Sequence, residues 1–429
     1  MVRTTRYALV AVLIFPLALF TMSATDASNV AFARTVSNVS PCPSVTATGC
    51  DKSKLQVSKY GSSACKGKST GTITASPIAL RDLAYINPMG LMIGGHVTPI
   101  DHGYFYVKGA FTNPPQQAAV YSPISGNIST VTRTVRNGDP GANADHSVVV
   151  TYDDYAVTIE ATCTFRIRFS NLVRFGGKLG RKIGQLGKNQ SRFPNYAVKA
   201  GELIGYTGHP TANGIDVWVE NDNATLTGFV NPVQYTAAES WKTHMVDLFN
   251  YTKAPLKNQL LAYDLRSVAP RWGKIDYDID GKLVGSWFKK RTGGYGGLKK
   301  GTEGYWAGHL SIVYDGIDPS QIEISFGSYQ GKPGQFVVVG NTPDPATVDQ
   351  SSGVVKYELD QIQYYSPDSG QPWDGMSYIA NMRVRAAGSP QGTVLMQLIS
   401  KRVLKVEIFP GQSAAQVTKF DSAALIYER

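Results

Sequence analysis

The chain has 429 residues, 42 Lys and Arg against 32 Asp and Glu, and a formal net charge of +10. That length exceeds what one hydrophobic core usually organises, so two folded units are expected. The basic excess sits in the first 270 residues, because 17 basic and 16 acidic residues nearly balance from Arg271 onward.

The chain opens on an export signal. Arg3 and Arg6 precede an apolar run from Ala8 to Phe20, broken only by Pro16, and Ala31-Phe32-Ala33 is a small-x-small cleavage site. The run is too short to span comfortably as a membrane helix, and no later stretch is long and apolar enough to do so. Removal of residues 1–33 is expected to leave a mature chain that is secreted or associated with the cell envelope, without a transmembrane segment. Export makes nucleic acid an unexpected partner despite the basic charge. Cys42, Cys50, Cys65 and Cys163 suit two disulfides in an exported chain, with three possible pairings. A local Cys42–Cys50 loop and a Cys65–Cys163 clamp are the expected pair. No Cys-x-x-Cys is present, which argues against structural zinc.

Residues 34–78 are rich in Ser, Thr, Gly and Lys and read as a poorly ordered lead-in held by cysteines. From 79 to 236 the pattern is strand-like. Tyr104-Phe105-Tyr106-Val107 is a dense β-forming run. Residues 147–152 and 155–160 flank Asp153-Asp154 in the layout of a hairpin, and Asn137-Gly138 with Asp139-Pro140-Gly141 marks another turn. Between Cys163 and Phe193 the basic residues, among them Arg174, Lys178, Arg181 and Lys182, interleave with Phe165, Phe169, Leu172 and Phe175. That segment reads as a basic insertion that could lie on an anionic surface or polymer, or simply be solvated.

Residues 237–269 carry Met245, Leu248, Leu256, Leu260 and Leu261 at helical spacing, interrupted at Pro255, and predict two short helices; with Trp241 and Phe249 their apolar residues are expected to dock the two units together. From 270 to 429 the chain is β again. Strands are expected at 307–314, 321–327, 335–340, 353–364, 377–386, 392–399, 402–409 and 421–428, forming an antiparallel barrel or sandwich. Asp276, Asp278 and Asp280-Gly281 mimic the start of a calcium loop, but Trp287 stands where its bidentate glutamate belongs, so a hairpin turn is preferred.

Three stretches carry a resemblance. They are His96 to Asp101 in Gly95-His96-Val97-Thr98-Pro99-Ile100-Asp101, Val120-Tyr121-Ser122-Pro123-Ile124-Ser125-Gly126, and Val198-Lys199-Ala200-Gly201-Glu202-Leu203-Ile204-Gly205. Their order resembles the lysostaphin/LytM-type zinc endopeptidases, which cut peptide crosslinks in bacterial cell walls. The resemblance covers about 79–236 and implies that family's duplicated hybrid motif fold. It implies that His96 and Asp101 stand at metal-ligand positions. It also implies that Asp216 and Trp218, in Asp216-Val217-Trp218, stand where the family has a catalytic and a zinc-binding histidine. An indole nitrogen only donates, so Trp218 cannot be a ligand, and the metal site reads as degenerate. His102 follows Asp101, and strand alternation would put the two on opposite faces. His209 is a possible substitute ligand. Farther on, Gly285-Ser286-Trp287 resembles the Gly-x-Trp of lipocalin-like barrels, where the Trp closes one barrel end.

The leading reading is thus an exported, non-catalytic protein with no resident cofactor. It would bind a cell-wall or extracellular peptide or glycan polymer through Trp218, Tyr104 and Tyr121, or an anionic surface. The alternatives are an active zinc metallohydrolase using His96, Asp101 and Asp216, and a barrel that carries a small apolar ligand.

Overall fold

The computed structural model describes residues 59, 65–109, 116–138, 150–208, 214–298 and 306–429. The expected export signal, Cys42, Cys50, His209 and the turn expected at 139–141 lie outside the described residues. Cys65 and Cys163 are bonded, with Cα atoms 5.0 Å apart across 98 residues of sequence. Closing a loop of that length restricts the unfolded chain by roughly 4–5 kcal/mol in the chain-entropy account. The lead-in is ordered from Cys65, because Ile73 and Ile78 are buried and Ile73 bridges to Thr252.

The first part of the chain is two sheets. Strands β1 (Leu83–Asn87), β2 (Gly103–Val107), β3 (Ala118–Tyr121), β4 (Gly126–Gly138), β5 (Val150–Glu160), β6 (Phe165–Leu172) and β7 (Arg174–Phe175) are followed by helix α1 (Gly177–Ile183). Strands β8 (Gln190–Arg192), β9 (Tyr196–Val198), β10 (Leu203–Thr207) and β11 (Gly214–Asn221) complete it. The large sheet runs β1-β2-β11-β6-β5-β4-β8 with β9 also on β4, and the small one runs β3-β10-β7. Alternation decides which face is buried. Phe105, Val157, Ile159, Phe165, Ile167, Phe169, Ile215 and Val217 point inward and meet Val120 and Ile204 of the small sheet in one core.

Two expectations fail here. Asp153 and Asp154 form no turn; they lie inside β5, opposite Val135 and Thr134 of β4. Arg133 and Arg136 of β4 hold them, at 2.9 Å and 2.7 Å, so their charges are satisfied within the sheet. The basic segment is not an insertion either, since its first third is β6, hydrogen-bonded between β11 and β5.

Helices α2 (Pro232–Ala238) and α3 (Leu256–Leu261) flank two short 3-10 turns, Lys242–His244 and Leu248–Tyr251. Met245, Leu248, Phe249 and Leu260 of this stretch are buried in the core of the sheets, together with Trp272 and with Phe288 and Tyr295 from the barrel side. Apolar packing therefore continues from the sheets through the connector into the barrel.

The barrel is closed and eight-stranded. It comprises β12 (Gly285–Lys289), β13 (His309–Tyr314), β14 (Ile322–Tyr329), β15 (Lys332–Val338), β16 (Val354–Tyr365), β17 (Arg383–Ser400), β18 (Val403–Pro410) and β19 (Leu425–Glu428). Antiparallel closure of β19 on β12 removes the open edges a sandwich would leave. The strands expected at 377–386 and 392–399 are one strand, β17, whose register against β16 shifts near Asp360 and Gly392. Gly392 has φ 147°, and a Cβ there would meet the Phe409 carbonyl oxygen, so the irregularity needs glycine. Inside, Leu310, Ile312, Ile324, Phe326, Tyr357, Leu359, Val394, Met396 and Leu404 pack around Trp287. Trp287 is fully buried, donates to the Leu283 carbonyl at 2.8 Å and lies 3.8 Å under the Arg429 guanidinium.

The acidic run before the barrel is not a strand. Asp276 accepts from Gly228 N and Lys274, Asp278 from Val230 N and Ser286 N, and Asp280 from Arg402. The three carboxylates thus have separate partners. They fasten residues 228–230 and the barrel's first strand together.

Candidate functional site

The outer face of the large sheet carries the polar positions of the same alternation. Register places them in cross-strand rows. Tyr85 of β1 faces Tyr106 of β2. Asn87 faces Tyr104, Tyr104 faces Asp216 of β11, and Asp216 faces Ser170 of β6. One step further along, Trp218 faces Arg168, and Arg168 faces Thr158 of β5. Beyond them Glu220, Arg166 and Glu160 form a buried ionic row.

Asp101 is the hub of this face. Its Oδ1 accepts from the indole N–H of Trp218 at 2.9 Å, and its Oδ2 accepts from the indole N–H of Trp241 at 2.7 Å. Oδ1 is also 2.9 Å from His102 Nδ1. Asp101 and His102 lie outside any strand, so alternation does not separate them; both are buried, and they bond each other. Burial alone would raise the Asp101 carboxyl, but the charge of Lys242, the His102 hydrogen bond and the nearby Arg168 hold it well below the usual range. It is therefore a fixed anion wrapped by N–H donors.

Rings continue from that hub toward the barrel, where Tyr85, Tyr104 and Tyr106 pack with Ile317, Met382 and Trp373. His102 lies 4.1 Å from Trp218 and 5.0 Å from Tyr104, Tyr104 lies 5.9 Å from Tyr106, and Tyr106 stacks on Tyr85 at 4.6 Å. The barrel adds Trp373, whose ring meets Tyr85 edge-on at 5.3 Å, while Tyr85 Oη donates to the Gly375 carbonyl at 2.8 Å. Trp218 and Tyr104 are thus brought together. Tyr121 is not part of this row: it lies on the small sheet, opposite Leu203.

His96 is half-buried, with its ring 6.1 Å from that of His102. Desolvation first, and His102 second, push it down to about 3, so it stays neutral. Asp216 is held by Ser170 Oγ and Asn171 Nδ2, each at 2.7 Å. Burial raises its carboxyl, against the opposing influence of His102 and Ser170. Asp101 and Asp216 therefore spend their oxygens on different donors. Among the described residues no group of three His, Cys, Asp or Glu side chains is placed to hold a metal ion. The position that would supply the third zinc ligand is an indole donating to Asp101, so the side chains present do not fit the zinc site of the resemblance.

Arg174, Lys178, Arg181 and Lys182 are exposed on β7 and α1. Arg174 lies 3.6 Å over the Tyr206 ring and Lys182 lies 5.6 Å from that of Tyr196. Leu179 and Ile183 anchor α1 to the core, so these charges sit on a fixed element.

Sequence reading did not find Arg168 and Trp241 as members of the site. A signal for Arg168 existed: Phe165-Arg166-Ile167-Arg168-Phe169-Ser170 alternates strictly and marks a half-buried strand. Trp241 had none, because only the tertiary fold carries the connector over the sheet. No protein-family model matches this sequence, and no curated protein is detectably similar to it.

Proposed function

We propose that the chain is a non-catalytic binding protein that holds an extended peptide or glycan polymer across the outer face of the large sheet. The observation that carries this reading is the Asp101 hub. Where the resemblance puts a zinc-binding histidine, Trp218 has no lone pair to give a metal and instead donates to Asp101, whose other oxygen accepts from Trp241. What the face offers is rings with polar edges, suited to sugar faces and extended peptides. The lysostaphin-type fold assignment belongs to this proposal; it is supported by the motif order and by Asp216 and Trp218 sharing a face with Tyr104. Action at the cell envelope or outside the cell follows from the export signal. The exposed basic residues of α1 favour an anionic polymer or surface over a neutral one.

Co-sedimentation with insoluble, purified bacterial cell-wall polymer tests the reading. The wild-type chain is expected in the pellet, and Tyr104→Ala or Trp218→Ala should weaken retention about tenfold, the ~1.4 kcal/mol scale of one lost aromatic contact. Release of new amine ends from the polymer would identify a hydrolase instead, and failure of the wild-type chain to pellet would remove the polymer reading.

A further inference from the structure

The guanidinium of Arg168 lies 4.1 Å from the Trp218 ring and 4.5 Å from the Trp241 ring. Ring faces offer a guanidinium no lone-pair acceptor, so a guanidinium over them keeps hydrogen-bonding capacity for other partners. Among the described residues none of those N–H groups donates to a protein acceptor, and the side chain is partly exposed. Asp101, whose carboxyl feels the charge of Arg168, directs both oxygens to the two indoles and to His102. Asp101 therefore offsets the charge of Arg168 without occupying its fork. Both rings that hold Arg168 are fixed by the same carboxylate, so the fork is oriented before any ligand arrives.

A second observation lies along the same face. Asn87 is 8% exposed and its Oδ1 has no hydrogen-bond partner. It is opposite Tyr104, at the β1 end of the row that runs through Tyr104 to Asp216 and next to the Tyr85–Tyr106 row. A buried amide oxygen without a donor costs about 1–3 kcal/mol, which a bound N–H or O–H recovers.

We propose that the ligand of this face carries a carboxylate, bound side-on by Arg168 between Trp218 and Trp241, with the chain attached to it running past Tyr104 to donate a hydrogen bond to Asn87 Oδ1. The inference rests on the polymer-binding reading above and names the chemistry that site selects. A carboxylate matches the planar fork with two parallel N–H···O bonds of about 2.8 Å, whereas a neutral amide offers it one oxygen. The carboxylate can be a peptide C-terminus or an acid group on a sugar.

The test uses the full mature chain and its tryptophan fluorescence. The probes are penta-alanine with a free C-terminus, the same peptide amidated, a trisaccharide ending in glucuronic acid, and its neutral glucose analogue. The wild-type chain should bind the acid member of at least one pair tenfold or more tighter than its neutral partner, and which pair responds identifies the source of the carboxylate. Arg168→Lys, which keeps the charge and loses the fork, should shrink that preference to under threefold. Equal binding of acid and neutral members by the wild-type chain would overturn the proposal, with no variant needed. So would a preference that Arg168→Gln retains. If the wild-type chain still pellets with cell-wall polymer while showing no acid preference, this inference falls and the polymer reading stands; if it does neither, both fall.

Discussion

Replacing Arg166 with Met is expected to cost about 3–5 kcal/mol of stability, the usual penalty for breaking a buried ionic group from one side. Arg166 is 1% exposed. It bonds Glu220 at 2.5 Å, Asp222 at 2.8 Å and the Cys163 carbonyl at 2.7 Å, and Glu160 lies 3.9 Å away. Glu160 and Glu220 are both buried, so removing the guanidinium takes a cation from beside both carboxylates; Lys59 also bonds Glu220 and Asp222. Burial would raise the Asp222 carboxyl, but the Arg166 hydrogen bond and charge hold it down to about 2. The same side chain ties β6 to β11 and to the residue that carries the disulfide, so the damage spreads to the sheet that holds Arg168 and Trp218. Urea unfolding followed by tryptophan fluorescence measures the change; a loss below about 1 kcal/mol would show that the cluster is not a structural keystone.

The second large effect is a loss of stability as pH rises, set where the barrel meets the sheets. The turn after β13 places Gly316 against Gly90 and Leu91, and its carbonyl accepts from Arg266 at 2.8 Å. Asp315 beside it accepts from two backbone amides and from Tyr364 Oη. Glu323 of β14 is 1% exposed, and its Oε1 has no partner. Tyr277 brings another unpartnered buried hydroxyl, near the charges of Arg266, Asp315, Asp276 and Glu323. Burial first, and Asp315 second, push the Glu323 carboxyl well above its usual range. Burial also pushes Asp315 up to about 6 and Asp264 up to about 7. A carboxyl raised on folding holds a proton that the unfolded chain releases. Its contribution is complete below the unfolded value near 4 and is lost as pH rises through the folded one. Stability should therefore fall between pH 5 and 8. Glu323→Gln keeps the shape and removes one titration, so it should flatten the profile by up to ~1.4 kcal/mol per pH unit. Parallel wild-type and Glu323→Gln profiles from pH 5 to 8 would refute this.

The barrel was legible because its strands are short, closely spaced and punctuated, and because Trp287 follows a glycine at the start of the first of them. The Cys65–Cys163 bond was legible from an even cysteine count in a chain expected to be exported. Asp153-Asp154 misled because two acids between apolar runs look like a turn; only the register across to Arg133 and Arg136 shows that a strand can carry them. β17 misled for the opposite reason, since Gly388, Ser389, Pro390 and Gly392 read as a break but form an irregular stretch within one long strand. In the site, Trp218 could be flagged by its place in a motif. The pairing of Trp218 with Arg168 is a matter of strand register, and the approach of Trp241 depends on how the connector crosses the sheet. Neither is local, so neither leaves a pattern in the chain.

The central claim is that the Asp101 hub binds rather than hydrolyses, and zinc content tests it most directly. Elemental analysis of the purified mature chain should give far less than one zinc per molecule, at a level unchanged by His96→Ala. About one zinc per molecule, lost on His96→Ala, would contradict the account and make His96 and Asp101 ligands of a working metal site.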